Sequence, residues 1–135
     1  MQQGNDEQAK LWNGVKGDAW VDAQPLLDQV FQPFEALLTG DIGSPERVLD
    51  VGCGSGVLAV AACRFGAQFA TGIDIAPAAV PVTSANAVAN GVEALVTVST
   101  TPLEEVDGTY DVVVANILAP ALVALAVDLR RVLAP

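Results

Sequence analysis

The sequence predicts an α/β fold, doubly wound around a mostly parallel sheet. Three observations carry that prediction. From Arg47 onward, short apolar runs rich in Val and Ile alternate with stretches of helical spacing. The helical stretches close on Gly66 and Gly91, and glycine accepts the left-handed backbone that ends a helix. Hydrophobic residues make up 52% of the 135 residues and charged ones only 16%, which suits a buried sheet and argues against disorder. Strands and helices alternating in this way imply parallel strands joined by right-handed crossovers. A chain of this length predicts one domain, with residues 1–41 as a lead-in and residues 42–135 as the core.

The elements follow in order. Residues 1–17 are polar, hold Gly4, Gly14 and Gly17, and read as a loose segment around Leu11-Trp12-Asn13-Gly14. From Asp18 to Leu38, the residues Trp20, Leu27, Phe31, Phe34 and Leu38 recur at helical spacing. Pro25 suits a helix start and Pro33 a kink, so one kinked helix or two short ones are expected before Gly40. After the turn Gly43-Ser44-Pro45, the first strand is Val48–Val51 and the first core helix runs from Gly56 to Phe65. The second strand is Phe69–Ile75. The next helix is Pro77–Asn90, with Pro81 in or near its first turn, where it is tolerated. Leu95–Ser99 is the third strand. Asp111–Ile117 is the fourth, nearly all apolar, as a strand buried on both faces should be. Pro120 opens a last helix with Leu122, Val123, Ala126, Val127 and Leu133 toward one side. Strand order 3-2-1-4 leaves the fourth strand as a bare apolar edge, and such an edge invites pairing. The expectation is a sheet truncated after the fourth strand and its helix, or a homodimer partner over that edge.

Composition excludes several functions. Lys and Arg number 6 against 16 Asp and Glu, for a net charge of -10, and only Arg130-Arg131 are adjacent. Phosphate backbones are bound by clustered cations, so no direct nucleic-acid contact is expected. Cys53 and Cys63 do not resemble a disulfide framework, which points to a reducing compartment, the cytoplasm. With no histidine and no Cys-x-x-Cys, no metal site is predicted. The apolar runs are too short and interrupted to span a membrane, and MQQGNDEQAK lacks the order of a signal peptide.

The stretch most suggestive of chemistry is VLDVGCGSG, residues 48–56. A dinucleotide fingerprint reads G-x-G-x-x-G. Here Gly52 and Gly54 fit, but position 57 is Val and the third glycine is Gly56. Asp50 stands two residues before the first glycine. A pyrophosphate wants a helix N-terminus free of carboxylates. A carboxylate there suits a ligand that is not anionic, such as S-adenosylmethionine, whose sulfonium and ammonium are cationic. Asp74, at the end of the second strand, suits the ribose diol of either ligand class. A nicotinamide-dependent oxidoreductase therefore stays as an alternative on Asp74 alone.

On these residues the sequence resembles the class I S-adenosylmethionine-dependent methyltransferases. VLDVGCGSG matches their first motif and Gly72-Ile73-Asp74 their second. Residues 48–135, through TGIDIAPAAV, SANAVANGVEALV and YDVVVANILAPAL, are similar to methyltransferases that modify amino groups of a ribosomal protein. The first 40 residues are more similar to the lead-in helices of small bacterial methyltransferases. The resemblance implies a Rossmann-like methyltransferase fold, S-adenosyl-L-methionine as cofactor, and transfer to an amino nitrogen of a protein or to a small molecule. A non-catalytic binding module of the same fold is the other reading. The implied cofactor-binding residues are Asp50, Gly52, Cys53, Gly54, Gly56, Asp74, Ile75 and Asn116. Asn116, at the C-terminal end of the fourth strand, would also orient the attacking nitrogen, the one catalytic role named. The family often has an acid just after the third strand to hold adenine. Here Ser99-Thr100-Thr101 stand there, and Glu104 and Glu105 follow later. Trp12 and Trp20 are expected to pack the lead-in rather than cover the cofactor.

Overall fold

The computed structural model describes residues 45–135, together with Ala19, Asp22, Ala23, Pro25, Leu26, Gln29 and Val30, all of them helical. The chain divides into two units, Met1–Asp41 and Ile42–Pro135. The helical positions of the first unit fall inside the stretch from Asp18 to Leu38 where helix is expected. The expectations for residues 1–17, Trp20, Pro33 and Gly40 lie outside the described residues.

The described residues of the second unit form four strands and four α-helices. They are β1 (Arg47–Val51), α1 (Val57–Arg64), β2 (Phe69–Ile73), α2 (Ala79–Ala89), β3 (Val96–Ser99), a short 3-10 turn (Leu103–Glu105), β4 (Val112–Ala115), α3 (Ala119–Ala124) and α4 (Ala126–Val132). The sheet order is β3-β2-β1-β4, and every pairing is parallel. Both β2 and β4 are shorter than their apolar runs, because the chain leaves the sheet at Asp74 and Asn116. The last helical stretch splits in two at Leu125.

The register aligns the strand ends. Val51 pairs with Ile73 on one side and with Ala115 on the other, and Ile73 pairs with Ser99. The residues that follow this row are Gly52, Asp74, Thr100 and Asn116. They stand at the carboxyl edge, where strand order reverses around β1 and where open α/β sheets bind ligands.

Strand alternation sends side chains to two cores. Val48 joins Ala59, Val60 and Cys63 of α1, Ala70 and Ala87 on one face. Leu49 and Val51 join Ile73, Leu103, Tyr110 and Val132 on the other. Each fully buried Leu or Val contributes about 1.5–3 kcal/mol. The four residues of β4 are only half-buried, contrary to the expectation of burial on both faces, because β4 is an edge strand. That edge is not wholly bare. Tyr110 N–H donates to the Val132 carbonyl at 2.8 Å, and Ala134 N–H donates to the Tyr110 carbonyl at 2.9 Å, forming a parallel bridge to Leu133. At this same amino end of the sheet, Arg47 N–H donates to the Asp111 carboxylate at 2.8 Å. The Arg47 guanidinium lies 4.6 Å from the Tyr110 ring centroid, a cation–π contact that ties β1 to the entry of β4.

Candidate functional site

The turn after β1 is built from three left-handed glycines, Gly52 (φ 72°), Gly54 (φ 54°) and Gly56 (φ 77°). At Gly56 the backbone is pressed against α2, and a Cβ would collide with Thr83. At Gly54 a Cβ would meet no protein atom within 4 Å. One glycine is thus needed for packing, whereas the other leaves the backbone open to close approach from outside.

Most of the turn's amides are held by the protein. The N–H groups of Gly52 and Cys53 both donate to the Ile73 carbonyl, at 2.8 and 3.0 Å, and Gly56 N–H donates to the Cys53 carbonyl at 2.7 Å. Gly54 N–H donates to Asp74 Oδ2 at 2.8 Å. Among the described residues no such bond falls on the Gly52 carbonyl.

Asp50 lies behind the turn, 1% exposed. Its Oδ2 accepts the Ala59 N–H at 3.1 Å, in the first turn of α1. No side chain caps α1 at Gly56, so Asp50 supplies an acceptor that an N-cap would otherwise give. Burial pushes its carboxyl above the ordinary 3.8, the Ala59 bond opposes that, and the neighbouring Asp74 charge adds to it. A carboxylate thus lies behind the turn at the start of α1, and its charge is unfavourable to a pyrophosphate at that helix N-terminus, which argues against the oxidoreductase reading.

Asp74 bridges the site. One oxygen takes the Gly54 N–H and the other takes the Ala76 N–H at 2.8 Å, and each retains a lone pair. Ile75, 95% exposed, stands at the rim. Asn116 is exposed one residue beyond β4, and its side chain makes no hydrogen bond among the described residues. It does not cap α3, whose N-cap is Leu118. Cys53 turns inward. Its side chain is buried against Gly72 and lies 3.8 Å from the Thr83 hydroxyl. Burial pushes its thiol up, so the thiol is not a poised nucleophile.

A pocket of about 270 Å³ opens beside these residues. It is lined by Val51–Gly52, Ile73–Ile75 and Pro102–Glu104, with Ile117, Ala121 and Leu125. Of the expected site residues, Gly52, Asp74 and Ile75 line it directly. Asp50 and Gly56 support it from behind, while Gly54 and Asn116 stand beside it. The volume lies just below the common range for ligand sites, about 300–1,000 Å³.

Sequence reasoning gave no role to four contributors, Glu104, Arg131, Thr83 and Asn86. Ser99 and Thr101 hydrogen-bond each other at 2.8 Å, and the acid that reaches the pocket is Glu104, carried there by the 3-10 turn. Arg131 holds that turn, donating to the Leu103 and Val106 carbonyls at 2.8 and 2.9 Å. Thr83 and Asn86 of α2 donate to the Gly54 and Ser55 carbonyls at 3.2 and 2.8 Å. A signal for Thr83 was present. Ala79, Thr83 and Ala87 recur every four residues and are all buried, so a hydroxyl stands on an otherwise apolar helix face.

The family model of the ribosomal protein L11 methyltransferases (PrmA) matches residues 29–135. The match begins inside the segment 1–41 and so extends beyond the resemblance read from residue 48. A ribosomal protein L11 methyltransferase of Geobacter sulfurreducens is 55% identical over 96 residues, covering 71% of this chain and 31% of that protein. The crystal structure of a ribosomal protein L11 methylase from Lactobacillus delbrueckii subsp. bulgaricus superposes with a TM-score of 0.63 at 40% identity, over 67% of this chain and 47% of that one. An RNA methyltransferase from Salinibacter ruber, solved in complex with S-adenosyl-L-homocysteine, gives a TM-score of 0.65 at 27% identity, over 82% of this chain and 69% of that one. The chain thus spans about a third of the Geobacter relative's length, and within that span it belongs to the ribosomal protein L11 methyltransferase family.

Proposed function

We propose that this chain carries the S-adenosylmethionine-binding core of a methyltransferase acting on an amino nitrogen of a ribosomal protein of the L11 type. Residues 42–135 form the core and residues 1–41 the lead-in. The observation that carries the reading is the pair of carboxylates around the glycine turn, Asp50 buried at the start of α1 and Asp74 bonded to Gly54 N–H. Two acids suit a cationic ligand and repel linked phosphates.

The residues present fit that cofactor. Gly54 lets the ligand approach the backbone, and the Gly52 carbonyl is the acceptor left for an ammonium. Asp74 keeps lone pairs for the ribose hydroxyls. Ile75 and Leu103 offer apolar walls to a flat base, and Glu104 is the acid positioned to accept from its amino group. Bound S-adenosylmethionine supplies a methyl group already activated by a sulfonium. Asn116 offers a carboxamide oxygen that accepts an N–H of the incoming amine and turns its lone pair into the site. Acceleration then rests on alignment and on exclusion of water. No side chain is assigned as general base.

The family's named substrate favours a protein acceptor over a small molecule. The two free, buried cysteines support a cytoplasmic setting. Among the described residues no helix is long and apolar enough to cross a membrane. Leu118, Val123 and Val127 are largely exposed, which supports a second copy of the chain as a partner. Incubation with methyl-tritiated S-adenosylmethionine and ribosomal protein L11 tests the function. Label in the protein is the expected result. Cofactor binding without label would leave a binding module and remove the enzymatic reading.

A further inference from the structure

Thr83 and Asn86 lie three residues apart on α2, one turn from each other, and reach successive carbonyls of the glycine turn. Thr83 Oγ1 donates to the Gly54 carbonyl at 3.2 Å, and Asn86 Nδ2 donates to the Ser55 carbonyl at 2.8 Å. Thr83 is fully buried, and its side chain fills the space that a Cβ on Gly56 would need. A peptide unit is planar and trans, so its C=O and N–H point in opposite directions. Drawing the Gly54 carbonyl toward α2 therefore turns the Ser55 N–H away from α2, onto the open side of the turn. Among the described residues that N–H has no hydrogen-bond partner, whereas those of Gly52, Cys53, Gly54 and Gly56 do.

We infer that Thr83, seconded by Asn86, is a positioning residue that aims the Ser55 N–H at the carboxylate of the cofactor's amino-acid end. The inference rests on the S-adenosylmethionine reading and adds a division of labour. The two acids attract the cationic groups, Asp74 holds the ribose, and the Ser55 amide receives the one anionic group. Without that aimed donor the carboxylate would face a turn whose nearby side chains are acidic.

The test compares S-adenosylmethionine with its decarboxylated form, which keeps the sulfonium and the amine but lacks the carboxylate. Affinities are measured by calorimetry on the chain and on three variants. Wild type binds the intact ligand more tightly. Thr83→Val keeps the branched shape but leaves the Gly54 carbonyl without its donor. It should weaken the intact ligand about tenfold and leave the decarboxylated one nearly unchanged. Thr83→Ser, which retains the hydroxyl, should keep the difference between the two ligands. Asn86→Ala, at a half-buried position, should narrow the difference about threefold and serves as the test if Thr83→Val does not fold. Equal losses for both ligands, or none, would overturn the inference while leaving the cofactor reading intact. Failure of folded wild-type protein to bind either ligand would remove the cofactor reading itself, and the inference with it.

Discussion

Gly54 and Gly56 have the same left-handed backbone and opposite surroundings. Alanine at either one carries a backbone cost of about 1–2 kcal/mol. At Gly56 the added methyl also meets the buried Thr83, so Gly56→Ala should lose about 3 kcal/mol in urea denaturation. Gly54→Ala should lose only about 1 kcal/mol and still fail to bind S-adenosylhomocysteine, because its methyl points where the ligand approaches. Asp50 gives a second prediction. Its folded pKa is raised by burial, so its favourable contribution is complete only below the unfolded value near 3.8 and is lost as pH rises through the folded value. Asp50→Asn keeps an oxygen for the Ala59 N–H and removes the buried charge. The variant should be at least as stable as wild type at pH 7, and the gap should close as pH falls toward 3.8, read from thermal midpoints. It should also weaken S-adenosylmethionine more than S-adenosylhomocysteine, which lacks the sulfonium charge. The places of Asp50, Gly54 and Asp74 at the strand ends and the turn were legible in the sequence because strand and glycine spacing are local signals, whereas the Gly54–Asp74 bond joins residues 20 apart. The inward direction of the Cys53 side chain was not legible, because it is decided by Gly72 and Thr83, 19 and 30 residues away.

At the scale of elements, the turn Leu103–Glu105 depends on α4. Arg131 spans two of its carbonyls and also contacts Asp128 at 3.3 Å. Arg131 is part-exposed, so Arg131→Ala should cost only about 1 kcal/mol of global stability. It should speed amide exchange at residues 103–106 and weaken ligands that carry adenine more than it unfolds the protein. Hydrogen exchange with mass spectrometry reads the first effect and calorimetry the second. The four strands and the first two core helices were legible, since β-rich runs, glycine stops and proline positions are local signals. The break at Leu125 was not, because no glycine or proline marks the run Ala121–Val132. Leu125 packs with the core of that face and lines the pocket, a tertiary reason that a one-dimensional pattern does not display. For the same reason Glu104 could not be placed. Its approach to the pocket is decided by Arg131, 27 residues later.

At the scale of the molecule, the net charge of -10 and the two acids at the turn act in the same direction. A field of that sign draws cations and repels phosphate-linked ligands. The sheet supplies a carboxyl edge at which Gly52 is flanked by Asp74 and Asn116. The most direct measurement is a paired calorimetric titration of the chain with S-adenosylhomocysteine and NADH. Saturable binding of the adenosyl-sulfur ligand, lost in Asp74→Ala, with no heat from the dinucleotide, is the predicted result. Tight binding of NADH with no response to S-adenosylhomocysteine would contradict the account.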